Sequence, residues 1–97
     1  MFEVIWTETA SEQRIEIMKF WIEHNQSKTY SEKILEETLK TEKLLTKNPF
    51  IGTLTDLEEI RRILVLKNFS MFYRIEKNVI QVLVFRDNRR DPNELEI

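Results

Sequence analysis

Cysteine is absent from the 97-residue chain. No disulfide framework, thiolate metal site or cysteine nucleophile is therefore possible, and a reducing compartment suits it. Glycine occurs once, as Gly52, so turns between strands must rely on asparagine, which tolerates positive φ better than most residues. No stretch approaches the roughly 20 apolar residues needed to span a bilayer. The first residues include Glu3 and Glu8 in place of a basic start and an apolar run, so the chain reads as unexported and cytoplasmic, with no membrane partner. An excess of either charge is also lacking: 15 Lys and Arg face 17 Asp and Glu, which gives no global field to attract nucleic acid. His24 is the one histidine and has no spaced Asp, Glu or Cys partner, so no metal and no cofactor are expected. Repeats, linkers and low-complexity tracts are missing as well, and residues 1–97 read as one domain.

What is present is periodicity. Phe2 to Trp6 alternates and is rich in aromatic and β-branched residues, which predicts a strand. Thr9 and Glu12 have capping-box spacing before Ile15, Ile17, Met18, Trp21 and Ile22, and Thr29 with Glu32 repeats it before Ile34, Leu35, Leu39, Leu44 and Leu45. Two amphipathic helices joined by a short connection pack as an antiparallel hairpin. Pro49 disfavours helical geometry at Asn48, and 48–58 reads as loop. Three strand-like runs follow, Ile60 to Leu66, Phe69 to Glu76 and Val79 to Arg86, divided by Lys67-Asn68 and Lys77-Asn78. Two-residue turns would set Leu66 opposite Phe69, Leu64 opposite Met71, Arg62 opposite Tyr73, Tyr73 opposite Val82 and Met71 opposite Val84. The expected architecture is α+β: an N-terminal strand, an antiparallel helix hairpin, then a three-stranded antiparallel meander with the helices on one face.

On that register Leu64, Met71 and Val84 lie under the helices. The opposite face carries Arg61, Ile63, Val65, Ser70, Phe72, Arg74, Gln81, Leu83 and Phe85, too apolar to be left in water. Ile63, Val65, Phe72, Leu83 and Phe85 are the candidates for a covered surface, with self-association as the rival to a partner protein. The acidic residues are concentrated before Arg61, and the chain after it is locally basic. Arg61 facing Arg74 would make a like-charged spot, either wanting an anionic partner or merely solvated. Arg62, opposite Tyr73, reads as structural. In the run Asp87 to Pro92 an Asp to Arg ion pair would pin a turn, while Arg89 and Arg90 at the exit of a strand are candidates for touching a target.

The element order, together with Trp6-Thr7-Glu8-Thr9-Ala10, Leu45 to Gly52, Arg62-Ile63-Leu64-Val65, Tyr73-Arg74-Ile75 and Asp87 to Pro92, resembles the RelE/ParE toxin superfamily over nearly the whole chain. The resemblance implies the toxin of a type II toxin–antitoxin pair, with a cognate antitoxin protein as partner. Members either cleave messenger RNA on the ribosome or poison DNA gyrase. The nucleases carry cations on the sheet and a C-terminal tyrosine or histidine to move a proton. Aligned with them, Ser70 replaces an arginine and Ile63 a lysine, only Arg61 and Arg90 match, and residues 91–97 offer neither His nor Tyr. The ParE-like branch, acting on gyrase without catalysis, is the reading this favours. Its alternatives are a ribosome-dependent endoribonuclease or an inactive member that only binds antitoxin.

Overall fold

The computed structural model describes residues 2–90. In chain order the elements are β1 (Glu3–Trp6), α1 (Glu8–Asn25), α2 (Thr29–Lys47), β2 (Thr53–Leu54), β3 (Ile60–Val65), β4 (Phe69–Glu76) and β5 (Val79–Asp87). The strands form one five-stranded sheet in the order β1-β5-β4-β3-β2. The expected strand, helix hairpin and meander are all there. One addition is β2, inside the segment expected to be loop, which pairs Thr53 with Arg62 and Leu54 with Arg61. β1 runs parallel to β5, from Glu3 opposite Val79 to Trp6 opposite Val82.

Thr7 caps α1: its hydroxyl accepts from Ala10 N at 3.2 Å and donates to Val82 O at 2.9 Å, tying the helix start to β5. The cap thus falls two residues before the Thr9 and Glu12 pair. No side chain caps Lys28, which precedes α2; Ser27 Oγ instead accepts from Thr29 N at 3.2 Å. The helices approach closely because small polar residues sit between them. Ser31 donates to Met18 O at 2.6 Å, and Thr38 turns its hydroxyl back to Ile34 O at 2.7 Å. Both are buried, so α2 reaches the core through Ile34 and Leu45 while Leu35, Leu39 and Leu44 stay exposed.

Two departures from the expected register decide which residues share a face. Val65 pairs with Phe69, leaving a three-residue connection Leu66-Lys67-Asn68, with positive φ at Leu66 (52°) and Lys67 (63°) in place of Asn68. One extra turn residue shifts β3 by one position and exchanges its faces. Arg61 is therefore opposite Tyr73, Arg62 opposite Phe72 and Ile63 opposite Met71. The β4–β5 turn is Lys77-Asn78, as expected, and Tyr73 meets Val82. Beyond that pair a bulge places Val84 opposite Phe72 and Phe85 opposite Met71, with Leu83 as the extra residue. Beside it, Gln13 on α1 accepts from Phe85 N at 3.0 Å.

The core under the helices contains Ala10, Ile17, Ile34, Leu45, Val65, Phe69, Met71, Tyr73, Ile80, Val82 and Phe85, with Ile63 packed against it. Val65 and Phe85, expected on the outer face, are thus internal, and Ile63 goes with them. Leu64 and Val84, expected under the helices, stand on the opposite face. Leu64 is 48% exposed there.

Candidate functional site

Four arginines were the sequence candidates for target binding, and the structure gives each a local task. Arg61 donates through Nη1 to Phe50 O at 3.1 Å and to Gly52 O at 2.8 Å, and its guanidinium lies 5.2 Å from the Phe50 ring centre. It secures the 49–52 segment from one side. Tyr73 secures it from below: the hydroxyl donates to Pro49 O at 2.8 Å and accepts from Gly52 N at 2.9 Å. Burial raises the Tyr73 pKa, a shift that the Gly52 amide and the Arg61 charge partly offset. Gly52 is required by this approach, because a Cβ there would lie 2.5 Å from the Tyr73 oxygen.

Arg74 lies opposite Ile60 and donates to Gln81 Oε1 at 3.0 Å. The expected Arg61 and Arg74 pair is not formed, since the shifted register puts the two on opposite faces. Arg89 folds back over the helix hairpin. Its guanidinium sits 4.5 Å from the Trp21 ring centre and donates to Tyr30 Oη at 2.8 Å, and its Nε is 3.4 Å from Asp87 Oδ1. Asp87, 3% exposed, also accepts from Trp21 Nε1 at 2.8 Å and from Arg89 N at 3.0 Å. The Asp to Arg ion pair expected of this turn is present. Arg90 stacks 3.7 Å over Phe20. Asp91, Pro92 and the rest of segment 91–97 lie outside the described residues.

What the open face of the sheet brings together is a different set. Across β3, β4 and β5 the outward rows read Arg62, Phe72, Val84 and then Leu64, Ser70, Arg86. Segment 51–57 rises over the β3 side of these rows and leaves a cleft of 1370 Å³ between itself and Arg86 and Asn88. Three cations line it, Arg62, Lys67 and Arg86, with Asp56 as the one carboxylate among the described lining residues. Ser70, fully buried, pairs with the Asn88 amide at 2.8 to 3.0 Å. Of the apolar side chains that line the cleft, Ile51, Leu54, Leu57 and Leu64 are 38% to 59% exposed. Sequence reasoning missed Arg62, Lys67 and Arg86, because the three-residue turn sets the face of Arg62 and the bulge at Leu83 sets that of Arg86, and neither glycine nor a positive-φ asparagine signals that turn.

Among the described residues the tyrosine and histidine side chains all lie away from this cleft. Tyr73 is on the helix side, Tyr30 holds Arg89, and His24 stacks on Phe20 with ring centres 5.5 Å apart. Among the described residues no cluster of three or more His, Asp or Glu could hold a metal ion.

The chain thus sets a helix hairpin on one face of a mixed five-stranded sheet and a cationic and apolar cleft on the other. A chain of the chromosomal ParDE TA system from P. aeruginosa superposes with a TM-score of 0.76 at 19% identity, covering 90% of this chain and 96% of that one. The family model of the ParE toxin of the type II toxin-antitoxin system, parDE, matches residues 4–92, and the chain belongs to that family. No curated protein matches it.

Proposed function

We propose that this toxin acts in the cytoplasm by binding DNA gyrase through the open face of its sheet, without cleaving RNA, and that a cognate antitoxin covers the same face. The observation that carries the reading is the content of the cleft: three cations on an apolar floor, with both described tyrosines and His24 engaged elsewhere. Phosphodiester cleavage without a metal needs a positioned group to take and return a proton. Ser70 cannot serve, being buried and paired with Asn88, and Asp56 would repel the phosphate it had to approach. Cations beside exposed leucines suit an acidic and apolar protein surface instead.

For the antitoxin, Phe72 and Leu83 keep their outward position from the sequence reading, and the apolar surface available is completed by Leu54, Leu57 and Leu64. The P. aeruginosa relative comes from a toxin–antitoxin system, which supports a protein partner of the same kind here. The test is direct. Purified chain should inhibit gyrase supercoiling, and inhibition should fall at least tenfold in the doubly substituted Arg62→Ala, Arg86→Ala protein. Primer extension on ribosome-bound messages should show no codon-positioned cuts. Reproducible cuts, or supercoiling untouched by micromolar chain, would overturn the reading.

A further inference from the structure

The turn between β3 and β4 holds a lysine in a backbone conformation that lysine seldom takes. Asn68 N donates to Leu66 O at 2.6 Å, and Lys67 between them has a φ of 63°. A three-residue turn closed around a positive φ is the rare and strained form of γ-turn. Leu66 adds a second left-handed residue, with a φ of 52°. Glycine takes such angles without steric cost, yet the one glycine of the chain is Gly52. Strain of this kind persists only where the surroundings over-determine it, and it collects at functional sites. Here the surroundings are specific. On the helix side Leu66 packs against the core. On the other side Asn88 N donates to Asn68 O at 2.8 Å. The Asn88 side chain is seated on the fully buried Ser70 hydroxyl, accepting from it at 3.0 Å and donating to it at 2.8 Å. Its neighbour Asp87 is tied to the helix hairpin through Trp21, so Asn88 is a fixed point at the end of β5.

We propose that Asn88, seated on Ser70, is a positioning residue: it clamps the strained turn so that Lys67 stands at the cleft with Arg62 and Arg86 to meet an acidic group of the target. Lys67 is exposed and lines the cleft, as Asn88 does. The strain has a return in the register. A two-residue turn would need no left-handed Leu66, but it would shift β3 by one position and carry Arg62 to the helix side. The strained three-residue turn is the one that gives Arg62 and Lys67 to the same cleft. Ser70 and Asn88 thereby act on the cleft without offering it a charge. That Lys67 meets a target rests on the functional reading above; the clamp on the turn does not.

The test combines backbone geometry with inhibition. Ser70→Ala together with Asn88→Ala removes both partners of the buried pair, so no hydroxyl is left stranded. In nuclear magnetic resonance spectra of that variant, the strong intraresidue HN–Hα Overhauser effects that positive φ produces at Leu66 and Lys67 should be lost. Their persistence would overturn the clamp. Gyrase inhibition by the same variant should fall severalfold, as far as with Lys67→Ala, and adding the pair of substitutions to Lys67→Ala should cost less than about twofold more. Fully additive losses would show that Asn88 does not act through Lys67, and the positioning role would fail. Lys67→Gly carries a signature that a structural defect does not: with the strain relieved, its melting temperature should be equal to or above that of the wild type while inhibition falls. A lower melting temperature with inhibition unchanged would also sink the proposal. If the Overhauser effects vanish while the wild-type chain leaves supercoiling untouched, the clamp is upheld and the functional reading is the part that fails.

Discussion

On the helix side of β3, β4 and β5, the residues Val65, Phe69, Met71, Tyr73, Ile80, Val82 and Phe85 are each 1% exposed or less. On the other side the same strands carry Arg62, Leu64, Ser70, Phe72, Arg74, Val84 and Arg86. The contrast extends to how charge is used. The helix-side arginines are bound into the fold: Arg61 to the carbonyls of Phe50 and Gly52, Arg89 and Arg90 to the aromatic rings of α1 and its neighbours. Arg14 lies 4.1 Å from the Trp6 ring centre and 3.9 Å from Glu42. On the open face Arg74 donates to Gln81, whereas Arg62 and Arg86 border the cleft. A basic residue in this chain is therefore informative about function only once its face is known, and adjacent residues such as Arg61 and Arg62 fall on different faces.

The largest effect expected from testing this contrast is in stability. Met71→Ala removes a fully buried side chain and should cost about 2 to 5 kcal/mol in chemical unfolding, whereas Leu64→Ala, half exposed, should cost under about 1 kcal/mol. A larger loss at Leu64 would reverse the assignment of faces. Next is Gly52→Ala, whose methyl group would meet Tyr73 Oη at 2.5 Å and Cε1 at 2.8 Å. Overpacking of this kind costs about 1 to 3 kcal/mol, and Tyr73→Phe should match it by stranding the Gly52 amide and the Pro49 carbonyl. Thermal denaturation of both variants checks this.

A smaller and sharper comparison sets the neighbours Arg61 and Arg62 against each other. Arg61→Ala should lower stability by about 1 kcal/mol, because two carbonyl contacts are lost. Arg62→Ala should leave stability within about 0.5 kcal/mol yet weaken gyrase inhibition severalfold. The reverse pattern in paired unfolding and supercoiling assays would show that the cleft is not the functional surface. The smallest effect concerns pH. Burial holds the Glu42 carboxyl above its ordinary 4.5, and the Arg14 charge and the neighbouring Trp6 indole only partly offset this. A carboxyl raised in the folded state binds its proton more tightly there, so its contribution is fully present below 4.5 and is lost as pH rises through the raised value. Glu42→Gln should therefore flatten the decline in stability above pH 4.5, measured by urea unfolding across that range.

Much of this fold could be read from periodicity, and the misreadings have local causes. The helix hairpin and the meander followed from apolar spacing and from Pro49, and the Lys77-Asn78 turn gave the Tyr73 and Val82 pairing correctly. The other turn failed because Leu66 and Lys67 adopt positive φ, which ordinary side chains seldom do and which nothing in their chemistry announces. The bulge at Leu83 is equally silent, since Leu83-Val84-Phe85 is apolar throughout and offers no alternation to break. Those two single-residue steps moved Val65 and Phe85 into the core and brought Arg62 out. The Asp87 to Arg89 ion pair was legible because turn residues and opposite charges stood together in sequence. The cleft was not, because its cations come from three separate segments.

The parallel pairing of β1 with β5 also has a consequence for how this toxin comes into being on the ribosome. Glu3 waits for Val79, and the Thr7 hydroxyl waits for the carbonyl of Val82, so the first strand made has its partner only when the last one has been synthesised. Contacts so distant in sequence form late and slowly. A nascent chain interrupted before β5 has its helices but no central strand to join β1 to β4, and the open face with its three cations is not assembled.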